Sequence, residues 1–250
     1  MKIPSLLHYV WVGGKPLPRR FQRNLDTWRR YNPEMEIVRW DDSNIDLSET
    51  FVRRAYEQKA WAKLSDLVRL RAVYEQGGIY LDTDVEAVAS FKPLRDLDCF
   101  FAYQSVRPGE DPVGNAAFGA SPRHPFIGEI IGAFPDGETG VINDIGCGPE
   151  VVSKLLLQKG LPTEPAGAAS VDGITVLPRR VFYPYHWTES FSRDCVTSET
   201  LGIHHWDMSW HRYDSSWMRR RLVDMLKTNP FMFGKARALY RTVAGSRSPT

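Results

Sequence analysis

Cysteine is scarce in this chain. The three cysteines, Cys99, Cys147 and Cys195, are far apart and form no CxxC arrangement. Neither a disulfide framework nor a cysteine-based zinc site is therefore signalled, and a reducing, cytoplasmic setting is expected. Charge of one sign is also lacking: 32 Lys and Arg face 30 Asp and Glu, for a net charge of +2. The basic residues are not interleaved with aromatics on a single element, so nucleic acid is not an expected partner. No apolar run approaches the ~20 residues that span a bilayer. The opening MKIPSLLHYVWVGG has one lysine, an apolar run broken by His8, and no small-residue cleavage site. The expectation is a chain neither secreted nor integral to a membrane. Internal repeats and low-complexity linkers are missing too, so the bulk of the 250 residues reads as one domain, 1–228, followed by a basic tail, 229–250.

What the chain does have is alternation of strand and helix. LLHYVWV reads as a buried strand ended by Gly13-Gly14, and RRFQRNLDTWRRYN as a helix with Phe21, Leu25, Trp28 and Tyr31 at helical spacing, stopped by Pro33. MEIVRW is a second strand, and a charged helical region follows Ser48. WAKLSDLVRLRAVYEQGG is a helix with an apolar stripe through Leu67, Leu70 and Tyr74, closed by Gly77 as a left-handed cap. IYL is the third strand. This order predicts an α/β layer with a mostly parallel sheet and a ligand crevice at the carboxyl ends of its strands. Beyond it, CFFAYQ and NAAFGA read as strands, PFIGEIIGAF and PEVVSKLLLQKG as helices, and GIHHWDMSW as a late strand running into a loop.

Asp82 and Asp84 fall where that crevice is expected, in YEQGGIYLDTDVEAV. In an extended segment their side chains leave on the same side, ~7 Å apart at the Cα atoms, and can converge on one object. Facing carboxylates repel, whereas a divalent cation with phosphate oxygens between them satisfies both. An EF-hand is excluded because Ala87 stands where that loop needs glycine. A solvated turn stays open, as does a phosphohydrolase of the haloacid-dehalogenase type with Asp82 as nucleophile, although no downstream GDxxxD motif accompanies it.

SDLVRLRAVYEQGGIYLDTDVEAV, with HYVWVGG before it and HHWDMSW after it, resembles glycosyltransferase family 32. This is the DXD-containing sugar-binding-region family that includes yeast initiating mannosyltransferases and is similar to the large glucosylating toxins. NAAFGASPRHPF resembles the family's next segment, with Arg123 in place of a usual glycine, and GCGPEV stands where a TGP-type stretch is usual. The resemblance implies a GT-A, Rossmann-like fold and a retaining transfer from a UDP- or GDP-sugar to a glycan or glycolipid hydroxyl, as in polysaccharide synthesis, with Mn2+ or Mg2+ as cofactor.

Site roles follow from the same resemblance. Trp11 would stack on the nucleotide base and the Val10 backbone would read its edge, although a strand Trp in an apolar run is by itself a core residue. Asp66 and Arg69, i and i+3 on one helix face, would contact ribose and sugar, unless they form only a surface ion pair. Asp82 would touch ribose or metal, and Asp84 and His205 would bind the metal. Strand alternation lets only one of His204 and His205 serve, and His205 fits the family position better. Ser209 and Trp210 would donate to the departing diphosphate, unless WDMSW is only an aromatic corner packed on the C-terminal helix, and Asn115 and Asp144 would line the reacting face, unless they are structural. A sugar-nucleotide-binding protein without transfer is the non-enzyme alternative. Finally, WMRRRLVDMLKTNPFMFGKARALYRTVAGSR carries eight basic residues against the single acid Asp224, interspersed with aromatic and aliphatic side chains. That composition is compatible with peripheral contact with an anionic membrane, on its inner face, and equally with a first helix packed on the domain and a solvated tail after it.

Overall fold

The computed structural model describes residues 3–207 apart from 135–139, 143–145, 147 and 164–166. Strands β1 (Leu6–Val10), β2 (Glu36–Trp40), β3 (Gly78–Leu81), β5 (Cys99–Tyr103), β6 (Val113–Ala120), β7 (Ala169–Val171) and β8 (Ile174–Leu177) form one sheet in the order β2-β1-β3-β6-β5-β8-β7. β6 runs antiparallel to both its neighbours and β7 antiparallel to β8, so the other strands, five of the seven, share one direction. The mostly parallel sheet expected from the strand and helix order is thus present, with β6 reversed at its centre. A separate ribbon pairs β4 (Val85–Ala87) with β9 (Gly202–His204).

Side-chain alternation divides the core between the two faces of the sheet. Leu7, Tyr9 and Trp11 of the first strand segment, Ile79 and Leu81 of β3, and Phe100 and Ala102 of β5 pack on helix α1 (Arg19–Tyr31) through its buried Phe21, Leu25 and Trp28. Val10, Tyr80, Phe101 and Tyr103 face the other way, onto helices α2 (Thr50–Glu57), α3 (Trp61–Gln76), α4 (Pro125–Gly132) and α5 (Pro149–Gln158). This period of two has a direct consequence for the site. Asp82 continues the parity of Tyr80 and so emerges on the α3 face.

Helix α3 is wrapped by its neighbours more fully than a single stripe through Leu67, Leu70 and Tyr74 would require. Leu64, Ser65, Val68, Arg69, Ala72 and Val73 are buried as well. Its end differs from a left-handed helical cap: Gly77 has φ 66° and ψ −167°. A Cβ there would sit 2.7 Å from Pro122 Cδ and 2.8 Å from Pro4 Cδ, so glycine is required by space as well as by φ. Arg123, where the family resemblance expects glycine, does adopt a positive φ of 56°. Its N–H donates to the Tyr74 carbonyl at 2.6 Å, which ties the strained residue to the end of α3.

His8 shows how tightly the inner strands are enclosed. Nε2–H donates to the Gly77 carbonyl at 2.8 Å, and Nδ1 accepts from the Trp40 indole at 3.2 Å, which fixes a neutral tautomer. Burial lowers its pKa from 6.5 to about 4, against the Gly77 bond, which raises it. The folded value is depressed, so this contribution to stability is present above pH 6.5 and is lost as pH falls from there towards about 4. The full effect is about 3 kcal/mol. Urea unfolding at intervals between pH 7 and 4 should show that slope in the parent chain and a much flatter one in His8→Gln. Equal slopes would remove His8 as the cause.

Candidate metal and sugar-nucleotide site

The two aspartates flank a tight turn, not the extended segment expected from IYLDTD. The Val85 N–H donates to the Asp82 carbonyl at 2.9 Å, and the chain leaves the main sheet for the ribbon. Helix α1 clamps the far side of that turn. Asn24 Nδ2 donates to the Thr83 carbonyl and the Trp28 indole to the Val85 carbonyl, both at 2.8 Å, and Thr27 Oγ1 accepts from the Ala87 N–H. Asp84 is thereby held facing β9. One oxygen of Asp84 accepts from the Asp207 N–H at 2.7 Å, and the other lies 3.4 Å from His204 Nε2.

His204, not His205, joins the aspartates. One ligand atom each from Asp82, Asp84 and His204 lie within 4.8 Å of one another. The antiparallel pairing sets Val85 opposite His204, which brings that imidazole beside Asp84. His205 points to the other face, where its Nε2 meets Glu86 Oε2 at 2.9 Å. The expectation of His205 as a ligand is corrected by this register. His204 Nδ1 is buried without a hydrogen-bond partner among the described residues, and the ring lies 4.4 Å from that of Trp206. Burial works to raise the Asp84 pKa, but His204 and the Asp207 amide outweigh it and the net displacement is downward. For His204 burial works to lower the pKa, and Asp84 reverses the sign. Two carboxylates and an imidazole in this arrangement are a donor set that suits a first-row divalent cation.

Asp82 is held from the opposite side by a buried guanidinium. Arg69, 3% exposed, lies 3.2 Å from Asp82 Oδ1 and 3.4 Å from Asp66 Oδ1, and donates to the Asn115 carbonyl at 2.9 Å and to the Ser65 carbonyl at 3.1 Å. Its charge rests over the Tyr80 ring, 4.7 Å from the centroid, and the Tyr80 hydroxyl donates to Asp82 Oδ1 at 2.7 Å. The Asn115 amide in turn donates to Asp66 at 3.0 Å. Asp66, Arg69, Asp82 and Asn115 therefore form one network, and the surface-pair alternative for Asp66 and Arg69 is overturned by burial. Burial pushes the Asp82 pKa up, opposed by Arg69 and reinforced by Asp84. GCGPEV also reaches this network: a Cβ on Gly148, at φ 67°, would stand 2.7 Å from Asp66 Oδ2.

Asp66, Arg69, Tyr80, Asp82 and Asp84 of this constellation lie in a known sequence region. Residues 18–101 match the model of the glycosyltransferase sugar-binding region containing the DXD motif. Inositol phosphoceramide mannosyltransferase 1 of Schizosaccharomyces pombe is 27% identical over 146 residues, covering 52% of this chain and 42% of that protein. Lactosylceramide 4-alpha-galactosyltransferase of Pongo pygmaeus is 29% identical over 168 residues, covering 63% and 73%. The chain spans about half the length of two of the curated relatives it matches, 42% of the S. pombe protein and 54% of a glycosyltransferase of Acanthamoeba polyphaga mimivirus. The fold is the GT-A glycosyltransferase fold. It is shared with the PaToxG glycosyltransferase at a TM-score of 0.50 and 17% identity, over 64% of this chain and 70% of that one.

Within this fold, Trp11 occupies the core and not an open face. It is 4% exposed, meets the Phe21 ring edge-on at 5.6 Å, and donates its indole N–H to the Lys15 carbonyl at 2.7 Å. The cause is the loop after β1: both Gly13 and Gly14 donate their N–H groups to the Asp42 carboxylate, which turns the chain back over the ring. Val10, 2% exposed, pairs with Trp40 at the carboxyl end of β1. Asp144, Ser209, Trp210 and the basic segment 217–247 lie outside the described residues. Tyr80, Ser65, Trp206 and Gly148 were not anticipated as parts of the site. Tyr80 carries a legible signal, since it stands two residues before Asp82 in a strand and shares its face.

Proposed function

We propose that this chain is a metal-dependent, retaining glycosyltransferase that moves a sugar from a nucleoside diphosphate sugar to a hydroxyl acceptor. The observation that carries the reading is the grouping of Asp82, Asp84 and His204 within 4.8 Å at the carboxyl edge of the sheet, with both aspartates inside the DXD region. Those three residues would hold the cation, which supplies countercharge to the diphosphate leaving group. Arg69 and Tyr80 fix the Asp82 carboxylate, and Asp66 with Asn115 lines the α3 side where ribose and sugar would lie. Retention is supported by the likeness to an alpha-1,4-N-acetylglucosaminyltransferase of Homo sapiens and to the lactosylceramide 4-alpha-galactosyltransferase of Pongo pygmaeus, since an α-linked donor giving an α-linked product keeps its configuration. The phosphohydrolase reading is weakened by Asp82 itself. Its oxygens are occupied by Tyr80 and Arg69, which leaves a poor nucleophile.

The decisive experiment is donor hydrolysis without acceptor. With Mn2+ and a panel of UDP- and GDP-sugars, one donor should release its nucleoside diphosphate slowly, excess chelator should stop the release, and added Mn2+ should restore it. Full turnover in chelator would remove the metal role. Hydrolysis of a phosphate ester with phosphorylated Asp82 would instead establish the phosphohydrolase.

A lipid-borne acceptor fits the reading. Two relatives carry ceramide lipids in their names, and 217–247 is rich in arginine and aromatics. Among the described residues no helix is long and apolar enough to cross a membrane, so attachment would be peripheral. Each basic residue near an anionic surface contributes about 1 kcal/mol. The full chain should sediment with anionic vesicles at low salt, and a chain ending at Lys227 should stay in the supernatant. Equal recovery of both forms in the supernatant would leave the segment without that role.

A further inference from the structure

Helix α1 turns Phe21, Leu25 and Trp28 into the core, and its opposite side is a ridge of arginine. Residues 15–33 hold six Lys and Arg against the single acid Asp26. At roughly 3.6 residues per turn, Arg19, Arg23 and Arg30 fall within about 40° of one another around the axis, directly away from the buried stripe. All three are exposed, and they span ~16 Å along the helix.

Helix stability does not account for this ridge. Arg29 and Arg30 in the last turn complement the negative end of the helix dipole, but Arg19 and Arg20 stand at its positive end, where the first turn holds no acidic residue. Cations at that end work against the helix. Pairing does not account for it either. Arg29 is paired with Asp26 and Arg20 with Asp207, whereas Arg19 and Arg23 make no hydrogen bond or ion pair among the described residues.

Shape and charge decide what such a ridge fits. It is convex, the outer face of one helix packed on the sheet, and so offers no groove to a peptide or a glycan chain. The helix presents no open aromatic face on which a base could stack, since Phe21 and Trp28 are buried and Arg30 lies over the half-buried Tyr31 ring, 5.6 Å from its centroid. The charge also continues beyond the helix. The described chain reaches Asp207, whose carboxylate lies 3.0 Å from Arg20 Nε at the start of α1, and residues 208–250 carry nine Lys and Arg against two Asp.

We infer that the α1 ridge is a docking surface for an anionic lipid bilayer, with Arg19, Arg23 and Arg30 against the headgroups. The contact is electrostatic, because none of the exposed large hydrophobic residues among those described lies on α1. Helix α1 follows the loop at the carboxyl end of β1, and its Asn24 and Trp28 hold the turn that carries Asp82 and Asp84. Docking along α1 therefore sets the carboxyl edge of the sheet beside the surface. The inference stands without the transferase reading, and it differs from the attachment proposed for 217–247 in placing a contact on the folded domain. A single weak anchor binds only marginally, so the two act together.

Partition of the full chain between buffer and vesicles of equimolar phosphatidylcholine and phosphatidylserine, at low salt, tests this. Arg19→Gln, Arg23→Gln and Arg30→Gln combined should weaken binding about 10²-fold, from about fivefold for each basic residue. Glutamine is a good helix former, so α1 is retained, and donor hydrolysis should stay at the parent rate. Removing three exposed charges from the other side of the sheet, as Arg53→Gln, Lys59→Gln and Lys154→Gln, should leave binding near that of the parent. Asp26→Asn should tighten it about fivefold, and this variant alone carries the test if the α1 triple variant does not fold. No partition of the full chain onto these vesicles, equal losses in the two triple variants, or unchanged binding in Asp26→Asn overturns the inference. Retention on heparin that the α1 changes abolish, with no vesicle binding, assigns the ridge to a soluble acidic polymer and overturns it as well. The chain ending at Lys227 separates the two attachments. Binding lost there but kept in the α1 variant counts against the ridge, and the reverse upholds the ridge and counts against the role of 217–247.

Discussion

Asp84→Asn is expected to lower donor turnover by about 10²–10³-fold, the range seen when one preorganised electrostatic contact is removed from an active site, while leaving the chain folded. The amide keeps an oxygen for the Asp207 N–H, so the loop after β9 has no reason to open. It removes the charge that His204 faces at 3.4 Å and one of the two carboxylates able to hold a cation. Without that charge the buried imidazole simply stays neutral, and no unpaired buried ion remains to destabilise the core. Manganese binding, followed by the loss of the free-ion electron paramagnetic resonance signal, should weaken in parallel. Turnover within tenfold of the parent, with weakened manganese binding, would show that the cation is not required for departure of the diphosphate.

The part of this site legible in the sequence is the part fixed by local pattern. The turns around β3, the long helix before it and the aspartate pair after it are set by periodicity and by glycine, and the structure keeps them in place. Tyr80 and Asp82 share a face by simple alternation, so their meeting with α3 was also readable. The choice between His204 and His205 was not, because it depends on the register of β9 against the three-residue strand β4, too short to announce itself. Glu86 held the clue: it flips to the opposite face from Val85 and there takes His205. The hairpin of β7 and β8 also carries a legible signal. Its Asp172-Gly173 loop has φ 49° and 79°, both positive, as a two-residue turn of that composition demands. The burial of Arg69 could not be read at all, because an aspartate and an arginine three apart on a helix look the same on a surface as in a core.

That burial gives the largest expected effect on stability. Arg69→Met should cost about 3–5 kcal/mol, the usual penalty for removing one partner of a buried ion pair. A methionine fills most of the space and supplies packing on Tyr80, so the loss is one of charge and donors rather than of volume. Asp82 and Asp66 would lose their countercharge, and the Asn115 carbonyl and Ser65 would each lose a donor. Arg69→Lys should recover less than half of this, because one ammonium cannot reach two carboxylates and two backbone carbonyls in the fork geometry that a guanidinium provides. Adding Asp82→Asn to Arg69→Met should restore part of the stability, since it removes the carboxylate left unpaired, although Asp82→Asn alone in the parent chain destabilises. Urea unfolding of the four chains forms a double-mutant cycle that reads the coupling directly. If Arg69→Met unfolds at the parent's urea concentration, or if Asp82→Asn destabilises it further by as much as it destabilises the parent, then Arg69 is not what allows a carboxylate to sit buried at the tip of β3.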